Sequence, residues 1–298
     1  MEVLTILLSS LIALVSPVNL IGDVVLKNAI RSQVEGAEQI AVRIDNTPSY
    51  QALDGKVDRV RIATRGLQLS PDVRIEALEL DVDRIDVNLG ELLQEETWID
   101  TGETKTIRLR QLVREPLQVA ARVVLTEEDI NRALQSSKIN AKLSEWIDPL
   151  LESILDTPAR NYEVYQSQID LLDNERLVLQ VKLQDLDAED VEDRELEVEV
   201  ELGVQVVAGR RLRFIEPSVL INGAQVSSEV ISEVEEVLDD PLVLRVLEVL
   251  GIIIRVLKLD LSNDGVELAT FIRVDAFTAS ALLEIEEFIE FVDQLLEE

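Results

Sequence analysis

The fifteen residues VRIEALELDVDRIDV, Val73 to Val87, decide the fold class. Apolar and polar side chains alternate along them, so one face of an extended strand is greasy and the other wet. The alternation changes phase twice. Val73, Ile75 and Ala77 share a face, then Leu78, Leu80 and Val82, then Ile85 and Val87. A one-residue slip turns every later side chain over, so the two steps predict bulges, and bulges bend a sheet. A strongly curved antiparallel sheet is the expectation.

The same chemistry recurs on both sides of this stretch. Ile40, Val42 and Ile44 alternate before a turn at Asn46-Thr47-Pro48, and Val60, Ile62 and Thr64 oppose Arg59, Arg61 and Arg65. Leu117 to Leu125 is a further strand. Leu177, Leu179, Val181 and Leu183 form one apolar face. Leu196, Val198, Val200, Leu202, Val204 and Val206 form another, backed by Glu195, Glu197, Glu199 and Glu201. Such a pattern marks an antiparallel sheet with one wet side. Ala208-Gly209-Arg210 turns the chain into Leu212, Phe214, Val219 and Ile221. Ile252 to Leu261 and Val266 to Val274 are joined by Asn263-Asp264-Gly265, a hairpin signal. Residues 90 to 115 read as a loop or edge hairpin carrying an exposed Trp98.

Helices are expected between the strand blocks. Thr126-Glu127-Glu128-Asp129 is a helix start, a cap followed by acids where the dipole favours them. Further helices are expected at Leu143 to Leu155, with a kink at Pro149, at Ser227 to Leu238, at Asp240 to Leu250, and at Ala279 to Glu298. The expected architecture is α+β: long, strongly curved antiparallel sheets wrapped around apolar helices in an elongated, tubular body. Its organisation is an apolar N-terminal helix over 1–36, an α+β body over 37–275 with two loosely similar halves meeting near 116–160, and an acidic amphipathic helix over 276–298.

The first thirty residues differ from the rest. VLTILLSSLIALV, Val3 to Val15, has no charge and is followed by Pro17. A spanning helix needs about 20 apolar residues. A signal peptide needs a positive n-region, and only Glu2 precedes this run. The favoured reading is an uncleaved apolar helix, either enclosed by the fold or laid on a membrane surface.

Composition excludes whole classes of chemistry. The 298 residues contain no His and no Cys, which removes histidine bases, thiol nucleophiles, Cys/His metal sites and disulfides. With 59 acidic against 28 basic residues the formal net charge is -31, which repels nucleic acid. The charge is concentrated: residues 1–150 hold 24 acids and 17 bases, residues 151–298 hold 35 and 11. Solubility is the plain account of it; recruitment of a basic partner is the alternative. Hydrophobic residues make up 47% of the chain and aromatics 3%, so the apolar material is almost entirely Leu, Val and Ile.

Local motifs carry no enzyme. Asp260-Leu-Ser262-Asn-Asp264-Gly265 has the opening spacing of a calcium loop, but Phe271 stands where the twelfth-position acid belongs. Asp81, Asp83 and Asp86 suggest a metal or an acid pair, but Asp81 and Asp83 read first as the solvated face of a strand. No phosphate-cradling glycine loop occurs. Arg59, Arg61 and Arg65 fit cross-strand pairing with acids or, as the alternative, a lipid phosphate. No cofactor is expected. What is left is an aliphatic, aromatic-poor surface suited to acyl chains, which need buried area at about 0.8 kcal/mol per CH2 rather than directional contacts. The alternative is an ordinary packed core.

Three segments carry a family resemblance: DNTPSYQALDGKVDRVRIATRGL at 45–67, DVRIEALELDVDRIDV at 72–87 and VVLTEEDINRALQS at 123–136. They resemble the LmeA-like phospholipid-binding family, in particular its cyanobacterial members, over most of residues 20–275. The resemblance implies a curved sheet around a helix, as in tubular lipid-binding proteins, cell-envelope association, and phospholipid as ligand. Family members from other bacteria usually begin with a secretory signal or lipoprotein anchor; the departure here is that the sequence has no charged n-region and no Cys. The expected function is non-enzymatic binding or transfer of phospholipid or another acyl lipid in an elongated groove, by a protein peripheral to a membrane. Lipid or membrane contact is expected at Leu4, Leu7, Leu8, Leu11, Ile12, Val15, Val60, Ile62, Leu78, Leu80 and Val82. The alternative is a structural or scaffold protein of a membrane or envelope whose acidic half recruits a basic partner.

Overall fold

The computed structural model describes residues 27–86, 98–100, 105–107, 114–144, 151, 162–186, 195–227, 231 and 251–275, apart from a few single positions. The apolar run at 1–26, most of the helices expected at 143–155 and 227–250, and the whole of that at 279–298 lie outside these residues.

Strands dominate the described chain. They are β1 (Gly36–Asp45), β2 (Lys56–Gln68), β3 (Arg74–Asp86), β4 (Trp98–Asp100), β5 (Lys105–Ile107), β6 (Leu117–Leu125), β7 (Tyr162–Leu172), β8 (Arg176–Asp185), β9 (Glu195–Val207), β10 (Arg211–Ile221), β11 (Ala224–Gln225), β12 (Ile252–Ser262) and β13 (Gly265–Val274). All pair antiparallel. A six-stranded sheet has the order β1-β2-β3-β6-β13-β12, a five-stranded sheet the order β11-β10-β9-β8-β7, and β4 pairs with β5. The α+β expectation is therefore corrected: the described fold is mostly β, built on two open sheets. The tight connections follow the turn chemistry. Asn222-Gly223 has positive φ at both residues and folds β10 back onto β11 in a tight hairpin. A Cβ at Gly265 would collide with the backbone carbonyl of Leu125, which is why the turn into β13 carries glycine.

The phase steps of β3 have a different outcome from the one expected. Its pairing with β2 keeps one register from Arg74 to Asp86. The buried positions of β3 step by three residues twice, Ile75 to Leu78 and Val82 to Ile85. Those of β2 take the same steps directly opposite, Leu67 to Thr64 and Val60 to Val57. An extra residue on one strand makes a bulge, whereas matched extra residues on facing strands cancel. Only the Gly66–Glu76 and Asp58–Arg84 pairings drop out of the ladder, and Gly66 and Arg84 both have positive φ. Register shifts occur elsewhere: at Val164/Gln166, Ile215/Ser218 and Val256/Lys258.

The helix α1 (Glu127–Leu134) begins as the sequence predicts. Thr126 and Asp129 form a reciprocal capping box. The helix packs against β7, the edge of the second sheet, and Ile130 joins a hydrophobic cluster with Leu171, Leu202, Val204 and Leu261 that links the two sheets.

Candidate functional site

Because β1, β2, β3, β6 and β13 pair without a register shift, and β12 shifts by one residue only at Val256/Lys258, the apolar alternation of the first sheet adds up to rows. Ile44, Val60, Val82, Val119, Ile272 and Ile254 are successive partners across the sheet. Beside them run Val42, Ile62, Leu80, Ala121, Thr270 and Val256, then Ile40, Thr64, Leu78, Val123, Leu268 and Leu259. Five interstrand spacings of about 4.8 Å make this face about 24 Å across, longer than the roughly 15 Å acyl layer of one leaflet. None of the eighteen positions is aromatic.

Five of the residues expected to contact lipid are thereby brought together. Val60, Ile62, Leu78, Leu80 and Val82 are neighbours on β2 and β3, and all are buried in one cluster. Among the described residues of that cluster, only Ile30 and Val34 reach it from outside the sheet and its turns. Leu4, Leu7, Leu8, Leu11, Ile12 and Val15 lie outside the described residues.

The opposite face of the same sheet is charged. Arg59 donates two hydrogen bonds of 2.7 Å to Asp81, the cross-strand pairing expected for this strand. Arg61 bonds to Asp45, which also accepts from Arg43 at 2.8 Å. Those two guanidinium groups, Arg43 first, hold the Asp45 carboxyl below the ordinary carboxylate range. Arg122 bridges Glu267 and Glu79 at 2.9 and 3.2 Å. It is the first cause, ahead of Lys258, of the lowered Glu267 pKa.

Between these charges lies a groove of about 490 Å3. Its outward-facing positions include Ala41, Ala63, Ala120 and Ala269, where the side chain stops at Cβ. The bulge at Val256/Lys258 throws Leu257 out at one end, 66% exposed. Sequence reading missed this groove. Arg61 was singled out, but Arg43, Arg122 and the alanines gain meaning only from the register. The bulge has a sequence signal: the alternation Ile252, Ile254, Val256 resumes at Leu259 and Leu261, three residues on.

The acidic motifs resolve into structural roles. Asp81 is paired with Arg59, Asp83 is exposed, and Asp86 is buried against Lys56 and Arg114. Asp260 pairs with Lys258 and the calcium-like spacing is the β12–β13 turn. Glu199 and Glu201 are half-buried, accepting from Gln180 and Arg176. Among the described residues no acidic group is arranged to hold a metal ion. No described helix is long and apolar enough to cross a membrane.

Residues 19–271 match the model of a family described as LmeA-like phospholipid-binding. No curated protein and no solved structure matches.

Proposed function

Since the chain belongs to the LmeA-like phospholipid-binding family, we propose that it binds phospholipid or another acyl lipid without catalysis, at or near a membrane, on the aliphatic face of its six-stranded sheet. In this reading Val60, Ile62, Leu78, Leu80 and Val82 contact the acyl chains. Leu4, Leu7, Leu8, Leu11, Ile12 and Val15 either cover the chains or dock the protein peripherally to the bilayer. The sheet's strands and the adjoining helices then form an elongated groove through which lipid is held or passed on.

The observation that carries this reading is the three parallel rows of side chains, sixteen of whose eighteen positions are aliphatic and the other two Thr64 and Thr270. An acyl chain offers no hydrogen bonds, so what holds it is area, and branched walls without aromatic plates supply area along the full width of the sheet. The chain contains no His and no Cys, so histidine bases and thiol nucleophiles have no part in what it does.

Lipid extraction and native mass spectrometry of the purified full chain test it, together with uptake of a fluorescent long-chain phospholipid. Co-purifying lipid and saturable uptake are expected, and Leu80→Trp, which fills the centre of the face, is expected to reduce uptake at least tenfold while a cooperative melt is retained. Absence of both lipid and uptake overturns the reading. Salt-sensitive capture of a cationic protein by residues 151–298 without any lipid would favour the scaffold alternative instead.

A further inference from the structure

The charged groove on the outer face of the six-stranded sheet combines small apolar side chains with guanidinium groups. Ala41 and Ala63 are direct cross-strand partners, and beyond Glu79 and Asp81 of β3 the same groove is lined by Ala120, Ala269 and Leu257. Alanine is depleted in strands, and on a solvated face longer polar side chains normally stand. Here they would fill the groove.

At one end Arg43 and Arg61 are also direct cross-strand partners on the same face. Like charges placed opposite each other disfavour the pairing. One carboxylate, Asp45, is shared between them, while Arg59 in the next row is bonded to Asp81 and Asp83 faces solvent beside it. The groove lining contains three guanidinium groups, Arg43, Arg61 and Arg122, against two carboxylates, Glu79 and Asp81. In a chain of net charge -31, Arg43 and Arg61 are two cations that meet one shared carboxylate, Asp45.

We propose that this trench binds a single phospholipid from the outside of the sheet, its phosphodiester over Arg43 and Arg61 and part of one chain along the alanine floor. The phosphodiester supplies the negative charge that Asp45 alone does not, and guanidinium groups meet its oxygens with paired, charge-assisted hydrogen bonds. Chain contact with Ala41, Ala63 and Leu257 favours an amphiphile over a free phosphate. The ligand class is that of the preceding reading, but the face is the opposite one, so the two fail separately.

Calorimetric titration of the full chain with monomeric dihexanoyl-phosphatidylglycerol at low salt is the test. Arg43→Gln/Arg61→Gln is expected to weaken binding at least tenfold. Ala63→Trp, which blocks the floor without touching a charge, is expected to do the same. Arg43, Arg61 and Ala63 are all exposed, so cooperative melting is retained in both variants. Uptake of long-chain fluorescent phospholipid stays unchanged in both variants. Unchanged titration in either variant, or glycerol phosphate binding as tightly as the lipid, overturns the proposal. Parallel loss of long-chain uptake would make the two faces one site and overturn the separate assignment. Wild-type titration without any long-chain uptake would leave this site standing and remove the acyl-chain function of the inner face.

Discussion

Arg74 concentrates more of the tertiary structure than any neighbouring charge. It opens β3, and its guanidinium donates to Asp129 at 3.0 and 3.1 Å, to Glu38 at 3.0 Å and to Glu76 at 2.8 Å. One side chain thus ties β1, β3 and α1 together. Asp129 first, then the two glutamates, raise the Arg74 pKa, so its charge is fixed at every accessible pH. The Asp129 side chain is only 2% exposed and also closes the helix cap, accepting from the Thr126 N–H at 3.4 Å. Removing the guanidinium strands a buried carboxylate, and breaking such a pair costs about 3 kcal/mol or more. Urea denaturation of Arg74→Leu is expected to show a loss of about that size, well above the roughly 1 kcal/mol ceiling of an exposed pair. A smaller loss would mean that Arg132, 3.6 Å away, compensates. The cap was legible in Thr126-Glu127-Glu128-Asp129, because all its partners are local. Arg74 was not, since its deciding partner stands 55 positions away.

The edge of the second sheet shows how an element is protected. β7 pairs with β8 on one side only, and an unpaired edge of this length invites association. Side chains from the helical segment beside it take the free groups instead. Asn131 accepts from the Ile169 N–H at 2.7 Å and donates to the Ile169 carbonyl at 2.8 Å. Glu127 accepts from the Leu171 N–H, Gln135 donates to the Ser167 carbonyl, and Ser144 accepts from the Val164 N–H. Asn131→Ala leaves both groups of Ile169 without these partners, at about 1 to 3 kcal/mol. Thermal melts are expected to register that loss, and light scattering at raised concentration is expected to show association that wild type lacks. An Asn131→Ala protein with the wild-type melt and no scattering would show that the helix shields the edge by bulk alone. None of this was readable from the strand itself, whose alternation is the same whether its edge is free or covered. Strand existence was the legible part. Leu117–Leu125 is observed with the predicted bounds, and the β12–β13 hairpin with bounds one residue wider at each inner end. The phase steps of β3 were real but misread. A single strand cannot report that its neighbour steps at the same place, so matched steps look like bulges. The candidate site divides the same way: the aliphatic rows follow from alternation, while the outer groove depends on which alanines the register sets side by side.

Across the whole molecule the two sheets depend on strands that arrive last. β13 pairs with β6 through nine residue pairs, Val266–Leu125 to Val274–Leu117, so the first sheet draws two of its six strands from the far end of the chain. Ile252 and Val274 are buried in the first sheet's cluster, and Leu261 is buried in the cluster shared with the second. The backbone joins in, with the Val256 N–H, at the β12 bulge, donating to the Gly209 carbonyl in the turn between β9 and β10 at 2.8 Å. The hairpin of residues 252–274 is thus common to both hydrophobic clusters, and its loss removes packing from each at once. A chain truncated after residue 250 would expose the whole of β6 as an edge beside aliphatic rows cut from six strands to four, a surface prone to aggregation. The truncated protein is expected to lose cooperative melting by circular dichroism and to elute as aggregate in size exclusion, with neither sheet recovering independently. A soluble monomer that still melts cooperatively would show that the second sheet is held by its own cluster around Leu183 and Val198, and that the hairpin serves the first sheet alone.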